Sequence, residues 1–223
     1  MKKVLIIFLA ILLFGCSNTN NETNKEEEKI TKLPVKQIPE SSLMSESPLS
    51  ALNIDDYLFL EDVIYVDTRS SKQFVSEGYI AGFINIPFYE AIASYADDPN
   101  VLFSMHKIRD EAGNVSVYLG DEGSFVPLYE ESVDLLYATF PKDKQIVFIA
   151  SAGVESAYLI NLLKQYGYDA SLLYNCGAFT NSLAANVAYL DYLQAKYLVK
   201  PIAQYDVNVT YDWGELTPIE ITE

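Results

Sequence analysis

The sequence predicts an α/β fold with a parallel central sheet flanked by helices. Two observations carry that prediction. Short β-branched and aromatic runs alternate along the chain with segments of helical spacing. Those runs are apolar at consecutive positions, the pattern of strands buried on both faces. Strands that alternate with helices form βαβ units, and such units build parallel sheets. At 223 residues, 50% of them hydrophobic, the chain is long enough for one sizeable core.

The elements follow in order. "VIYVD" (63–67) is the first strand. Ser70 with Gln73 three residues on forms a capping box for a short helix ending near Glu77. "GFINIP" (82–87) reads as a second short strand, and Tyr89–Tyr95 as helical. "SVDLLYATF" (132–140) has helical spacing and stops at Pro141. "QIVFIA" (145–150) is the strongest strand. "ESAYLINLLKQYG" (155–167) is an amphipathic helix that Gly167 ends. "ASLLYN" (170–175) is a further strand. Two pieces break the alternation. Residues 100–128 read as an inserted hairpin turning at Glu111–Asn114, and "YDVNVTYDW" in the C-terminal extension (199–223) alternates like an edge strand.

The N-terminus reads as an address. "MKK" is a basic start, and "VLIIFLAILLF" (4–14) is apolar but too short to span a bilayer, which takes ~20 residues. "LFGC" then resembles a bacterial lipobox. Residues 1–15 are thus expected to be a lipoprotein signal peptide, and Cys16 a lipid attachment site holding the protein on the outer face of the cell membrane. Residues 16–47 are rich in Asn, Glu, Lys, Ser and Pro and are expected to be a flexible tether. The domain proper is expected over 48–223.

Charge narrows the partners. The first 45 residues hold 6 basic and 5 acidic side chains, and the remainder 9 and 26. A domain this acidic is not built for nucleic acid. With one histidine, His106, and no Cys/His cluster, the sequence implies no metal site, no cofactor and no histidine-based triad. Tyr is abundant at 17 residues, which suits half-buried sheet positions.

The motifs together resemble rhodanese-like domains, the sulfurtransferase family, over roughly residues 50–185 with an insertion at about 90–128. Asp67 and Arg69 match the family's Asp-x-Arg at a strand end. Gly78, Ile80, Gly82, Asn85, Ile86 and Pro87 match the run that follows, with Tyr79 in place of its His and Phe83 in place of its Ala. "IVFIASAGVESAYLINLLKQYGYDASLLYNCGAF" resembles the second half, where a strand enters a Cys-x-x-Gly-x-Arg-Ser-Ala loop and a helix.

The resemblance implies a binding loop over Ala150, Ser151, Ala152, Gly153, Val154 and Glu155. Active relatives transfer sulfur through a loop thiolate beside a nest of backbone N–H groups and a cation that steers the anionic donor. Here Ala150 stands at the cysteine position and Glu155 at the arginine position. A methyl group forms no persulfide, and Ser151 has no evident base. The remaining thiol, Cys176, is the alternative nucleophile, since it follows a neighbouring strand. The family's Arg pairs with a Glu at the position of Glu77, so Arg69–Glu77 is expected to tie strand end to helix end, and Asp67 to face the crevice. The chain is therefore expected to be a membrane-anchored module that binds a small ligand or a partner protein without sulfurtransferase activity; the alternative is a persulfide carrier using Cys176.

Overall fold

A computed structural model describes residues 30–95, 100–105, 108–109, 115–116, 125–182, 187–201 and 206–219. The expected signal peptide, Cys16, His106 and the turn at Glu111–Asn114 lie outside them.

Strand β1 (Val63–Asp67) leads into helix α1 (Ser71–Glu77). One half of the capping box forms: Ser70 Oγ accepts the Gln73 N–H at 3.1 Å, while the Gln73 side chain meets the Ser70 hydroxyl at 3.2 Å rather than its backbone N–H. Two-residue strands β2 (Tyr79–Ile80) and β3 (Ile84–Asn85) follow. The segment expected to be helical is a short π-helix, Phe88–Ile92, which runs directly into β4 (Ala93–Ser94). Then come β5 (Phe103–Met105), β6 (Ile108–Arg109), β7 (Val115–Ser116) and β8 (Phe125–Pro127). Helix α2 (Ser132–Thr139), β9 (Gln145–Ala150), α3 (Val154–Gln165), β10 (Leu173–Ala178) and β11 (Leu198–Val199) complete the chain. β10 starts three residues later than the apolar run, because Asp169 caps a 3-10 turn by accepting the Ser171 N–H at 2.9 Å.

The central sheet is parallel, ordered β10-β9-β1-β3. This is an α/β fold with a parallel four-stranded sheet, consistent with a rhodanese-like domain. Strand alternation assigns each side chain to a face. Val66, Ile146, Phe148 and Leu173 pack with Leu136 of α2 and with Leu159, Ile160, Leu162 and Leu163 of α3. Tyr65, Val147, Ile149, Tyr174 and Cys176 face the other way. That second face is covered mainly by irregular chain: Leu49, Ile54 and Leu58 before β1, and Phe179 and Tyr189 after β10.

The insertion enlarges the first core. β5 pairs parallel with β4 and antiparallel with β8, which buries Phe103, Met105 and Phe125. β6 and β7 pair antiparallel, Ile108 opposite Ser116, as a hairpin requires. The C-terminal extension departs from expectation. Over 206–213 it forms no strand. Tyr211, Trp213 and Leu216 pack against the first core instead, and Asp212 turns the chain by accepting the Gly214 N–H at 2.9 Å. Among the described residues, the extension pairs through β11 against β2 and through one bridge, Tyr129 to Pro218.

The larger correction concerns the tether. Residues 30–47 were expected to be flexible, yet they lie along β10, the sheet's outer strand. The composition is polar, but a few side chains each find a fitted place. Leu33 joins the second core. The Lys36 side chain is buried, and its Nζ donates to the carbonyl oxygens of Pro39, Ser41, Ala170 and Leu173 at 2.7–3.0 Å. Burial, and then the positive charge of Lys164, push Lys36 down to about 8, while the negative charges of Glu40 and Asp169 oppose the shift. Lys164 Nζ donates to Glu40 O at 2.7 Å. Farther along, Asn175 Nδ2 donates to Ser42 O at 2.9 Å. This strap shields an edge that is otherwise open to strand pairing with other chains.

Replacing Lys36 with Met keeps the apolar stem and removes the donor from four carbonyls, of which the bonds to Ala170 and Leu173 are buried. The expected cost is about 2 kcal/mol in denaturant unfolding. Hydrogen exchange should rise first over residues 36–46 and β10, with β9 still protected.

Candidate functional site

The loop at 150–155 sits at the C-terminal end of β9, the side on which open parallel sheets carry their crevice. Ala150 is the last strand residue and has no exposed surface. Its carbonyl accepts the Phe179 N–H at 2.8 Å. The Ser151 carbonyl accepts from the N–H groups of Thr180 and Asn181 at 3.1 and 2.9 Å, and Ser151 Oγ accepts from Asn181 Nδ2 at 3.0 Å. Ser151 is thus a hydroxyl bound into the loop. Gly153 turns the chain into α3 at φ 83°, a left-handed conformation that favours glycine. Asn175 Nδ2 donates to Gly153 O at 3.0 Å as well as to Ser42 O, so one amide joins loop and strap. Met44 fills the space outside: a Cβ placed on Gly153 or on Gly177 would lie 2.9 Å from its Sδ.

Glu155 stands in the first turn of α3. Its Oε2 is buried and, among the described residues, has no hydrogen-bond partner. Burial raises its pKa, its own backbone N–H opposes that shift, and Asp67 adds to it through like charge. Beside it lie three tyrosines. Tyr95 is hydrogen-bonded to both Tyr89 and Tyr158. The ring centroids are 6.1 Å apart for Tyr89–Tyr95 and 6.4 Å for Tyr95–Tyr158. Burial pushes Tyr89 and Tyr95 up to about 12, and the charge of Glu155 adds to both shifts.

Asp67 and Arg69 form the structural hub behind the loop. Both are fully buried, and Arg69 Nη2 lies 2.6 Å from Asp67 Oδ2. Arg69 Nε and its backbone N–H each donate to Asp67 Oδ1 at 3.0 Å. The expected pair with Glu77 is present, Nη1 to Oε2 at 3.2 Å. Nη2 also donates to Gly78 O at 2.7 Å, and the guanidinium lies 3.5 Å from the centre of the Phe179 ring. Asp67 was expected to face the crevice. Its carboxylate is instead taken up by Arg69, so it reaches Glu155 only through its field. Burial raises the Asp67 pKa, and Arg69 opposes the shift.

Cys176 is not positioned as a nucleophile. It points into the second core with Val147, Ile149 and Tyr189, with no exposed surface. Burial and the charge of Asp55 push its thiol above the ordinary cysteine range, so the thiolate is disfavoured. The physical reason is parity, because Cys176 shares a face with Tyr174.

Sequence reasoning did not identify Tyr89, Tyr95 and Tyr158 as neighbours of the loop. For Tyr89 and Tyr95 the only signal was the abundance of tyrosine, which has no position; Tyr158 was within reach, three residues after Glu155 on the same helix. Met44 and Asn175 were missed because the strap was assigned to the tether. No protein-family model matches this chain, and no curated protein matches it.

Removing the guanidinium in Arg69→Met leaves Asp67 buried and unpaired. About 3–5 kcal/mol of stability should be lost by urea unfolding. Glu155→Gln acts in the opposite direction. The folded pKa of Glu155 is raised, so the stability its carboxyl contributes is present below its unfolded pKa and is lost as pH rises through the folded value. The groups around it are Asp67 on β1, Tyr89 in the π-helix, Tyr95 just after β4, and Tyr158 on α3. At pH 7 the Gln variant should therefore melt higher than wild type, and the gap should close as pH falls toward 4.5; an equal gap at both pH values would contradict this.

Proposed function

We propose that this chain is a lipid-anchored, extracytoplasmic rhodanese-like module that binds a small ligand or a partner and does not transfer sulfur. The observation that carries the reading is the content of the loop. The strand-to-helix turn is kept, but a buried methyl at Ala150 stands where the resemblance calls for a thiol, and the Glu155 carboxylate stands where it calls for a cation. A thiosulfate donor is an anion. It would meet Glu155 in a site where Arg69 is already committed to Asp67 and Glu77. Sulfur transfer also needs an accessible thiolate, and Cys176 is buried in an apolar core. The anchor at Cys16 and the outer-face location complete the reading from the sequence.

The test is direct. The mature protein incubated with thiosulfate and then cyanide should yield no thiocyanate above a protein-free control. Peptide mass mapping should show no added sulfur on Cys176. Thiocyanate production that disappears in Cys176→Ser would overturn the reading in favour of a persulfide carrier.

A further inference from the structure

Glu155, Tyr95, Tyr89 and Tyr158 form a group with one sign of charge and one kind of wall. Tyr158 is 2% exposed and Tyr89 41% exposed, so the row of rings runs from the interior to solvent. Glu155 lies within electrostatic reach of all three rings, and among the described residues its buried Oε2 has no partner. The nearby Glu90 has one oxygen bonded to the N–H and hydroxyl of Ser71 at 3.1 and 2.7 Å. Among the described residues no basic side chain forms an ion pair with Glu155. A buried carboxylate oxygen without a donor beside aromatic faces calls for a ligand that is positive, donates hydrogen bonds and is partly apolar. A hard divalent metal fits poorly, since it takes six or more oxygen ligands, and among the described residues no group of three or more His, Cys, Asp or Glu side chains could hold one.

We propose that Glu155 and the Tyr89–Tyr95–Tyr158 wall form a binding site for an alkylammonium group. The inference rests on the reading of the loop as a binding site and names the chemistry of its ligand. The ammonium N–H groups would donate to Glu155 Oε2, and the alkyl chain would lie against the rings. The same group occurs on free amines and on lysine side chains, so both are tested.

The experiment titrates the full mature protein at pH 7 with n-butylammonium, followed by tyrosine fluorescence and by amide chemical shifts. Neutral n-butanol and calcium chloride serve as controls at matched ionic strength. Saturable binding of butylammonium, with butanol and calcium inert, is expected. Glu155→Gln should weaken it at least tenfold, and Tyr95→Leu should also weaken it while leaving Glu155 in place. Equal response to butanol, or unchanged affinity in Glu155→Gln, overturns the proposal. Tighter binding of Nα-acetyl-lysine amide than of butylammonium assigns a lysine side chain as the source; the reverse assigns a free amine. The thiosulfate assay reads independently: sulfur transfer refutes the non-catalytic reading, whereas failed amine binding refutes only the ligand chemistry.

Discussion

The buried pair of Asp67 and Arg69 is the constraint on which the crevice depends. Two charges without solvent access are costly unless every donor and acceptor is matched. Here the match draws distant segments together. Arg69 reaches its own strand end at Asp67, the end of α1 at Glu77 and the turn at Gly78 O. Phe179 stacks on the guanidinium, and Thr180 donates to Glu77 at 2.8 Å. The backbone of those same two residues, Phe179 and Thr180, donates to the carbonyls of Ala150 and Ser151. One ion pair therefore sets where the loop after β10 sits, and that loop holds the candidate binding loop in shape.

A second layer lies outside the sheet. The strap from Leu33 to Met44 meets β10 at its start through Lys36 and at its end through Asn175 and Gly177. It protects an edge strand without adding a strand, since side chains and isolated carbonyls make the contacts. It also lies against the loop's back at Gly153. The segment that leads toward the membrane anchor expected from the sequence is thus part of the domain's packing.

On the proposed rhodanese-like reading, the loop has the frame of a sulfurtransferase loop without its chemistry. Shape depends on backbone bonds and on Gly153, neither of which needs a thiol or an arginine. Glu155 in the first turn of α3 makes the local field negative, where the resemblance calls for a cation. The cost is a carboxylate that burial and Asp67 both disfavour, the kind of tension that functional sites carry.

Much of this fold is legible in the residues themselves. Consecutive apolar runs mark β1 and β9, the Ser70–Gln73 spacing marks α1, and Gly167 marks the end of α3, because each depends on local sterics and burial. The Arg69–Glu77 pair was legible only through a family resemblance. Other features depend on partners far away in the chain. The strap looked disordered because its stability comes from the edge of β10, which no composition window contains. The extension alternated like a strand, but its aromatic residues had a core to fill. Cys176 looked available until strand parity turned it away from the loop. By itself the sequence determined the strand-to-helix loop and the absence of a thiol within it. Only the tertiary structure decided that Glu155 would be half-buried beside Tyr89 and Tyr95, because these stand some sixty positions away along the chain, and packing alone brings them to the helix that Glu155 shares with Tyr158.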